Sequence, residues 1–329
     1  MLKQLESEAG IITPKVLSIQ SHVVHGYVGN KAATFPLQYR GWDVDVLNSV
    51  QLSNHPGYGK FVGFRSNPKD IRDILKNGLF GKLDMKYDAV LTGYIPCTET
   101  LEVINDIIGK VCDDDCQVKW ILDPVLGDNG RLYVSEKNVP VYRKILQSNH
   151  IFVATPNQFE METLTSTKID SFDSLKKSFL TFHKMFPRVE KVVITSMELS
   201  LSKDEHDCLL CACYDPTVSP NQAFYFKVPK LNAHFSGSGD LFTALLLDYV
   251  AHPVGKEALS LTCALSEVLS LVDKILQRTI ELSSEDNGHI ANKRSVIKDL
   301  RLINCVDLLK KDLAAQHTPK FTPISIDLI

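Results

Sequence analysis

Gly237-Ser-Gly-Asp240 precedes the apolar run Leu-Phe-Thr-Ala-Leu-Leu-Leu247. The two glycines allow a tight turn and a close backbone approach. The run that follows is a good helix former, so the free N–H groups of its first turn form an anion site suited to a phosphate in transit. Asp240 falls in that first turn, where a carboxylate could take the proton of a substrate hydroxyl as it attacks phosphorus. Read alone, the same four residues also fit a plain helix cap. Asp123-Pro-Val-Leu-Gly-Asp128 sets two carboxylates five residues apart in a turn after an apolar strand. Oxygen donors of this kind suit hard cations such as Mg²⁺ or K⁺, and the alternative is an acidic, solvated turn. In Thr155-Pro-Asn-Gln-Phe-Glu160, Glu160 falls in a first helical turn, either near a bound metal or paired with Asn157 in a capping box. Gly-x-x-x-x-Gly-Lys-Ser/Thr is absent, and Phe242 stands where the last glycine of Gly-x-Gly-x-x-Gly belongs, so neither a P-loop nor a dinucleotide motif is present.

Such residues need strand ends and helix starts to hold them. Lys15 to Gln20, Trp42 to Val50, Tyr87 to Thr92, Val118 to Leu122, His150 to Ala154 and Val189 to Thr195 read as strands from their short apolar or alternating pattern. Helices are expected over Gly29 to Leu37, Asn67 to Leu79, Glu99 to Cys112, Leu241 to Val250 and Glu257 to Gln277. Cys208 to Tyr214 and Gln222 to Val228 read as a hairpin. Alternating strands and helices imply an α/β fold with a mostly parallel sheet covered on both faces, which binds ligands at the carboxyl ends of its strands. Ser21, Asp123, Thr155 and Thr195 each follow such a strand. We read a single domain over 1–329, with 1–14 as a tail and the polar stretch 283–294 as a mobile loop.

Hydrophobic residues make up 44% and charged residues 23% of the 329 residues, which is ordinary for a globular chain. A net charge of −3 argues against nucleic acid or an anionic membrane as the main partner, since both need a concentrated basic face. No transmembrane stretch, signal peptide or transit peptide is expected, which points to the cytosol. The eight cysteines are expected to be free thiols there. Cys208, Cys211 and Cys213 lie on a strand, with the last two sharing a face, and read as buried thiols rather than a zinc site. Cys112 and Cys116 flank three aspartates without a second pair of ligands nearby.

Taken in order, the segments carry a resemblance. Ser18-Ile-Gln-Ser-His22, Gly26-Tyr-Val-Gly-Asn30 and Ala-Ala-Thr-Phe-Pro-Leu-Gln38 resemble the N-terminus of eukaryotic pyridoxal kinases. Asn48-Ser-Val-Gln51 with Ser53-Asn-His55, Leu91-Thr-Gly-Tyr94, Asp123 to Asp128, Thr155 to Glu160, Val193-Ile-Thr-Ser196 and Gly237 to Asp240 follow in that family's order, from about Val16 to Arg278. Each motif is weak and their joint order is strong. The resemblance implies a ribokinase-like three-layer α/β/α sandwich, a homodimer, and transfer of the ATP γ-phosphoryl to the 5′-hydroxymethyl of pyridoxal, pyridoxine or pyridoxamine. It also implies Mg²⁺, or another divalent ion such as Zn²⁺, together with K⁺ or Na⁺.

Carried over by motif, Asp240 is the base. Ser21, His55 and Tyr94 face the vitamer, with His22 a further candidate contact. Ser238 and Gly239 meet the phosphates. Asp123, Asn157, Gln158, Phe159, Glu160, Thr195, Ser196 and Leu231 fall on the nucleotide side. Asp123, Thr155 and Thr195 surround the monovalent cation, and Asp128 and Glu160 lie near Mg²⁺. Tyr94 and Tyr133 close over the reactants.

The chain departs from the family pattern in three places. Ser238 stands for a more usual Thr and keeps the hydroxyl. Pro56 stands where the family often has Thr, which puts vitamer preference in question. The loop after Asp128, Asn-Gly-Arg, is short and lacks the extra acidic residues of related proteins, which bears on nucleotide affinity. Competing readings are a hydroxymethylpyrimidine kinase of the same fold, a pyridoxal-binding protein without turnover, and a sugar kinase.

Overall fold

Ala89-Val-Leu-Thr92 and Ile151-Phe-Val-Ala154 are buried at every position, as strands covered on both faces must be. In the computed structural model they lie at the centre of a ten-stranded sheet. The structure describes residues 13–199, 208–251, 259–287, 295–297, 299–310 and 320–328.

In chain order the strands are β1 (Lys15–Val23), β2 (Asp43–Leu52), β3 (Gly63–Arg65), β4 (Ala89–Thr92), β5 (Lys119–Leu122), β6 (Gly127–Asp128), β7 (Arg131–Leu132), β8 (Ile151–Ala154), β9 (Val189–Met197), β10 (Cys208–Tyr214), β11 (Gln222–Pro229), β12 (Ala233–Phe235), β13 (Ser295–Ile297) and β14 (Ile324–Asp327). The helices are α1 (Asn30–Tyr39), α2 (Pro68–Arg72), α3 (Thr98–Asp114), α4 (Asn138–Ser148), α5 (Gln158–Thr165), α6 (Phe172–Met185), α7 (Ser238–Ala251), α8 (Leu261–Asn287) and α9 (Val306–Leu309).

The main sheet runs β14-β11-β10-β9-β8-β5-β4-β1-β2-β3. Its centre, from β9 to β2, is parallel. Antiparallel strands close both edges. The expected Cys208 to Val228 hairpin is the β10–β11 pair. The chain leaves β1 for β2 on one side and reaches β4 on the other, so a topological switch point lies at β1 and β4, where such sheets bind ligands.

Two apolar cores confirm the three layers. One packs α3, α4, α5 and α6 against one face, with Trp120, Tyr142 and Phe179 at its centre. The other packs α1, α7 and α8 against the opposite face, around Phe226, Leu245 and Ala264. Cys211 and Cys213 point into this second core, and burial pushes both thiols well up.

Two expectations need correction. The helix over Asn67 to Leu79 is α2, capped by Asn67, and it then widens into π-type turns over Asp73–Lys82. A short apolar pattern does not separate the two helix pitches. The stretch 283–294 is not a loop throughout, because α8 continues to Asn287. Its polar residues extend a helix already anchored by Leu265, Val268 and Ile275. Residues 288–294, and 1–12 of the expected tail, lie outside the described residues.

Candidate functional site

Asp240 reaches its place through two helix starts. α7 begins at Ser238, so Asp240 is its third residue. Its Oδ2 accepts from Gly29 N at 2.8 Å, immediately ahead of α1. The bond thus runs to another loop and is not a cap on its own helix. Gly29 has φ +52, and a Cβ there would lie 2.2 Å from Ser21 O and 2.4 Å from Ser21 Oγ. Only glycine fits, and the close approach brings Ser21, at the bulged carboxyl end of β1, beside the amide that holds Asp240. Burial raises the Asp240 carboxyl above its usual range, and the Gly29 N–H opposes that rise.

A second group lies one turn further along α7. Thr243 bonds the Asp123 carboxyl, and its Oγ1 lies 3.4 Å from Thr155 Oγ1. Asp123 follows β5 and Thr155 follows β8, so neighbouring strands deliver both. Burial and the charges of Glu160 and Asp240 push the Asp123 carboxyl well up. Sequence reasoning missed Thr243. Its signal was the i+3 spacing from Asp240, which puts both residues on one helix face. Asn30 was quoted without a role. It is buried, donates to Leu47 O at 3.1 Å and accepts from Ser18 Oγ at 2.8 Å, locking β1, β2 and the start of α1 together.

Glu160 is buried, and its carboxylate is held by backbone. Oε1 accepts from Leu126 N at 2.9 Å and Gly127 N at 3.3 Å, and Oε2 accepts from Asn157 N at 2.9 Å. Asn157 Oδ1 in turn accepts from Glu160 N, which completes the capping box. Burial raises the Glu160 carboxyl to about 8 against these bonds. Asp128 accepts from Asn129 N at 2.8 Å and from Asn129 Nδ2 at 2.9 Å within its own hairpin. Asn129 and Gly130, at φ 51 and 74, make the two-residue turn between β6 and β7. Among the described residues no three His, Cys, Asp or Glu side chains converge on one metal position.

Asp128, Gln158, Phe159, Ser196, Leu231 and Ser238 line one cleft of about 570 Å³ between β9, α5 and the start of α7. The cleft therefore gathers four of the eight nucleotide-side residues named from sequence, Gln158, Phe159, Ser196 and Leu231, while Asp123, Asn157, Glu160 and Thr195 do not line it. Thr195 sits near the end of β9, with its N–H on Pro156 O at 3.0 Å. Gly239, the second residue of α7, is exposed. Tyr94, just past β4, is half-buried, and Tyr133 is exposed beside the β6–β7 hairpin. His55 is buried beside Gly26, and its Nδ1 accepts from Gly57 N at 3.1 Å. Burial and the charge of Lys31 lower the proton affinity of His22, against a side-chain hydrogen bond with Gln51.

Comparison with known proteins places this geometry. A family model described as phosphomethylpyrimidine kinase matches residues 72–302. A Saccharomyces cerevisiae protein named provisionally as a pyridoxal kinase is 53% identical over 303 residues, covering 92% of this chain and 94% of that protein. The human pyridoxal kinase is 35% identical over 315 residues, covering 92% of this chain and 98% of that protein. The structure of Leishmania donovani pyridoxal kinase in complex with ADP and pyridoxamine superimposes with a TM-score of 0.79 at 29% identity, covering 95% of this chain and 99% of that chain.

Proposed function

Since the chain belongs to the phosphomethylpyrimidine kinase family and, within it, groups with the pyridoxal kinases, we propose that it transfers the γ-phosphoryl group of ATP to the 5′-hydroxymethyl of a B6 vitamer. The observation that carries this reading is Asp240. It stands at an anion-binding helix start, joined through Gly29 to Ser21 at the switch point of the sheet.

ATP occupies the cleft bordered by Gln158, Phe159, Ser196 and Leu231, with its phosphates toward Ser238 and Gly239. The vitamer lies against Ser21, Tyr94 and His55 with its hydroxyl toward Asp240. Asp240 takes the proton as oxygen attacks phosphorus, and its raised proton affinity helps it do so. The N–H groups opening α7 hold the charge that develops on the transferring oxygens. Tyr94 and Tyr133 exclude water.

The donor set fits two cations. Asp123, Thr155 and Thr195 are oxygen donors suited to K⁺ or Na⁺, and Asp123 carries a charge that burial and two further carboxylates disfavour. A divalent ion, Mg²⁺ or Zn²⁺, belongs on the Asp128 and Glu160 side. Mg²⁺ keeps several waters and takes substrate phosphates as ligands, so it does not need three converging side chains. When bound it neutralises phosphate charge. The chain's own part is to keep Asp123 and Asp128 near the phosphates while backbone N–H groups fix Glu160.

Two further parts belong to this reading. A homodimer is supported by exposed Phe61, Val62 and Phe64 at the β3 edge. A cytosolic site is supported by eight free thiols, and among the described residues no helix is long and apolar enough to cross a membrane.

The test is ATP-dependent phosphorylation of pyridoxal by the purified chain, with and without K⁺, beside hydroxymethylpyrimidine. Pyridoxal turnover stimulated by K⁺ is expected. Preference for the pyrimidine would move the chain to that activity of the family, and binding of pyridoxal without turnover would end the kinase reading.

A further inference from the structure

Residues beyond Arg278 carry none of the motifs described above, yet one carboxylate from this region reaches the substrate side. β13 pairs in parallel with β12, directly ahead of the turn that opens α7. Two residues past β13, Asp299 lies over the loops that leave β1 and β2. Its Oδ2 accepts from the Tyr58 hydroxyl and lies 3.6 Å from His25 Nε2. Its Oδ1 packs so tightly on Gly26 that a Cβ there would come within 2.1 Å, and this oxygen has no hydrogen-bond partner among the described residues.

Tyr58 ends the one-turn helix Pro56–Tyr58, and His55 caps it. The two rings meet edge-on with centroids 4.9 Å apart. The segment that follows, 59–65, is exposed throughout. The turn is held by the His55 cap, by the Tyr58 bond to Asp299, by the edge contact of Tyr58 with His25 and by Asn54 Nδ2 on Lys60 O at 2.8 Å. A segment with few buried contacts opens locally unless a specific bond holds it. Burial and the Asp299 carboxylate push the Tyr58 hydroxyl up to about 12, so it remains a donor at neutral pH.

We propose that Asp299 is a positioning residue for the vitamer: through Tyr58 it fastens the turn Pro56–Tyr58 and so sets His55 on the substrate side of Asp240. This rests on the pyridoxal kinase reading. The bond is charge-assisted, the stronger class of hydrogen bond, and it joins segments far apart in the chain.

Tyr58→Phe and Asp299→Asn in the full chain provide the test. Amide exchange over 55–62 should accelerate about tenfold, and KM for pyridoxal should rise about tenfold, as expected for loss of one charge-assisted hydrogen bond. KM for ATP and exchange in the main sheet should stay within about twofold, and the double variant should be no worse than the stronger single one. Unchanged exchange over 55–62 overturns the proposal, as does faster exchange with an unchanged pyridoxal KM. Faster exchange throughout, with both KM values rising together, marks a merely structural contact and also overturns it. If the wild-type chain turns over no vitamer, the kinase reading fails separately. Pyridoxal affinity of the ATP-free protein, followed by absorbance, then decides: weaker binding in both variants sustains the proposal, and equal or absent binding ends it.

Discussion

Gly29 N donates to Asp240 Oδ2 at 2.8 Å, and this bond joins the start of α1 to the start of α7. Both helices pack on the same face of the sheet. The site is thus assembled where two helix starts meet at the end of β1. A carboxylate held by one amide keeps its second oxygen for other work. The same contact orients Asp240 and limits how far burial raises its proton affinity.

Asp240→Asn keeps an acceptor for Gly29 and removes the base. We expect kcat to fall by about 10²- to 10⁴-fold. Thermal stability and KM for ATP should change little, since the amide bond survives. Steady-state kinetics beside a melting curve checks this, and a kcat within about threefold of wild type would remove Asp240 from the role.

Thr243→Val removes the hydroxyl that bonds Asp123 and faces Thr155. The buried partner left unsatisfied costs about 1–3 kcal/mol. The K⁺ concentration needed for half-activation should rise while KM for pyridoxal holds. A K⁺ titration of initial rates reads this, and an unchanged K⁺ response would separate Thr243 from the cation.

The alternation of strands and helices was legible because buried parallel strands such as Ala89–Thr92 are apolar throughout and turn polar at their ends. Asp123 and Thr155 could be placed at strand ends for the same reason. The partnership of Gly29 with Asp240 could not be read, because no local pattern encodes which loops meet across the sheet. Glu160 shows a different limit. The sequence allowed either a metal-side carboxylate or a capping box; Oε2 makes the capping box, while Oε1 accepts from Leu126 N and Gly127 N. Asn129-Gly130 marks a tight hairpin, yet nothing in the spacing says that Asp128 turns back to bond it. Asp299 lay beyond the motifs altogether, two residues past the strand that pairs with β12.

Glu160 titrates at about 8, above the ordinary carboxyl range, and Asp123 and Asp240 are raised as well. A raised carboxyl means that the fold favours the protonated form. Its contribution to stability is full below the unfolded value of about 4.3 and is lost as pH rises toward 8. Without cations, Tm should fall between pH 5.5 and 8.5, and Mg²⁺ should raise it more at pH 8 than at pH 6. Glu160→Gln should flatten the slope while lowering Tm overall, because the amide nitrogen that replaces one oxygen cannot accept the backbone N–H that this oxygen accepts. Differential scanning across this range checks both, and an equal slope in the variant would sink the assignment.

Arg40 and Asp248 form a buried ion pair at 2.6 Å, at the opposite ends of α1 and α7 from Gly29 and Asp240. Trp42 Nε1 also donates to Asp248 at 2.9 Å, and Arg40 Nη1 donates to Leu309 O at 3.1 Å. The guanidinium lies over Tyr249 at 4.7 Å. Asp248→Ala strands a charge and an indole N–H inside the core, at a cost of about 3–5 kcal/mol. Arg40→Met with Asp248→Leu removes both charges together and should recover much of that loss. Urea unfolding measures the stabilities. Since the pair clamps the distal ends of the helices, kcat at low temperature should fall far less than stability does. A kcat loss comparable to that of Asp240→Asn would mean that the far ends of α1 and α7 set the geometry of Asp240, and that the Gly29 bond alone does not hold it.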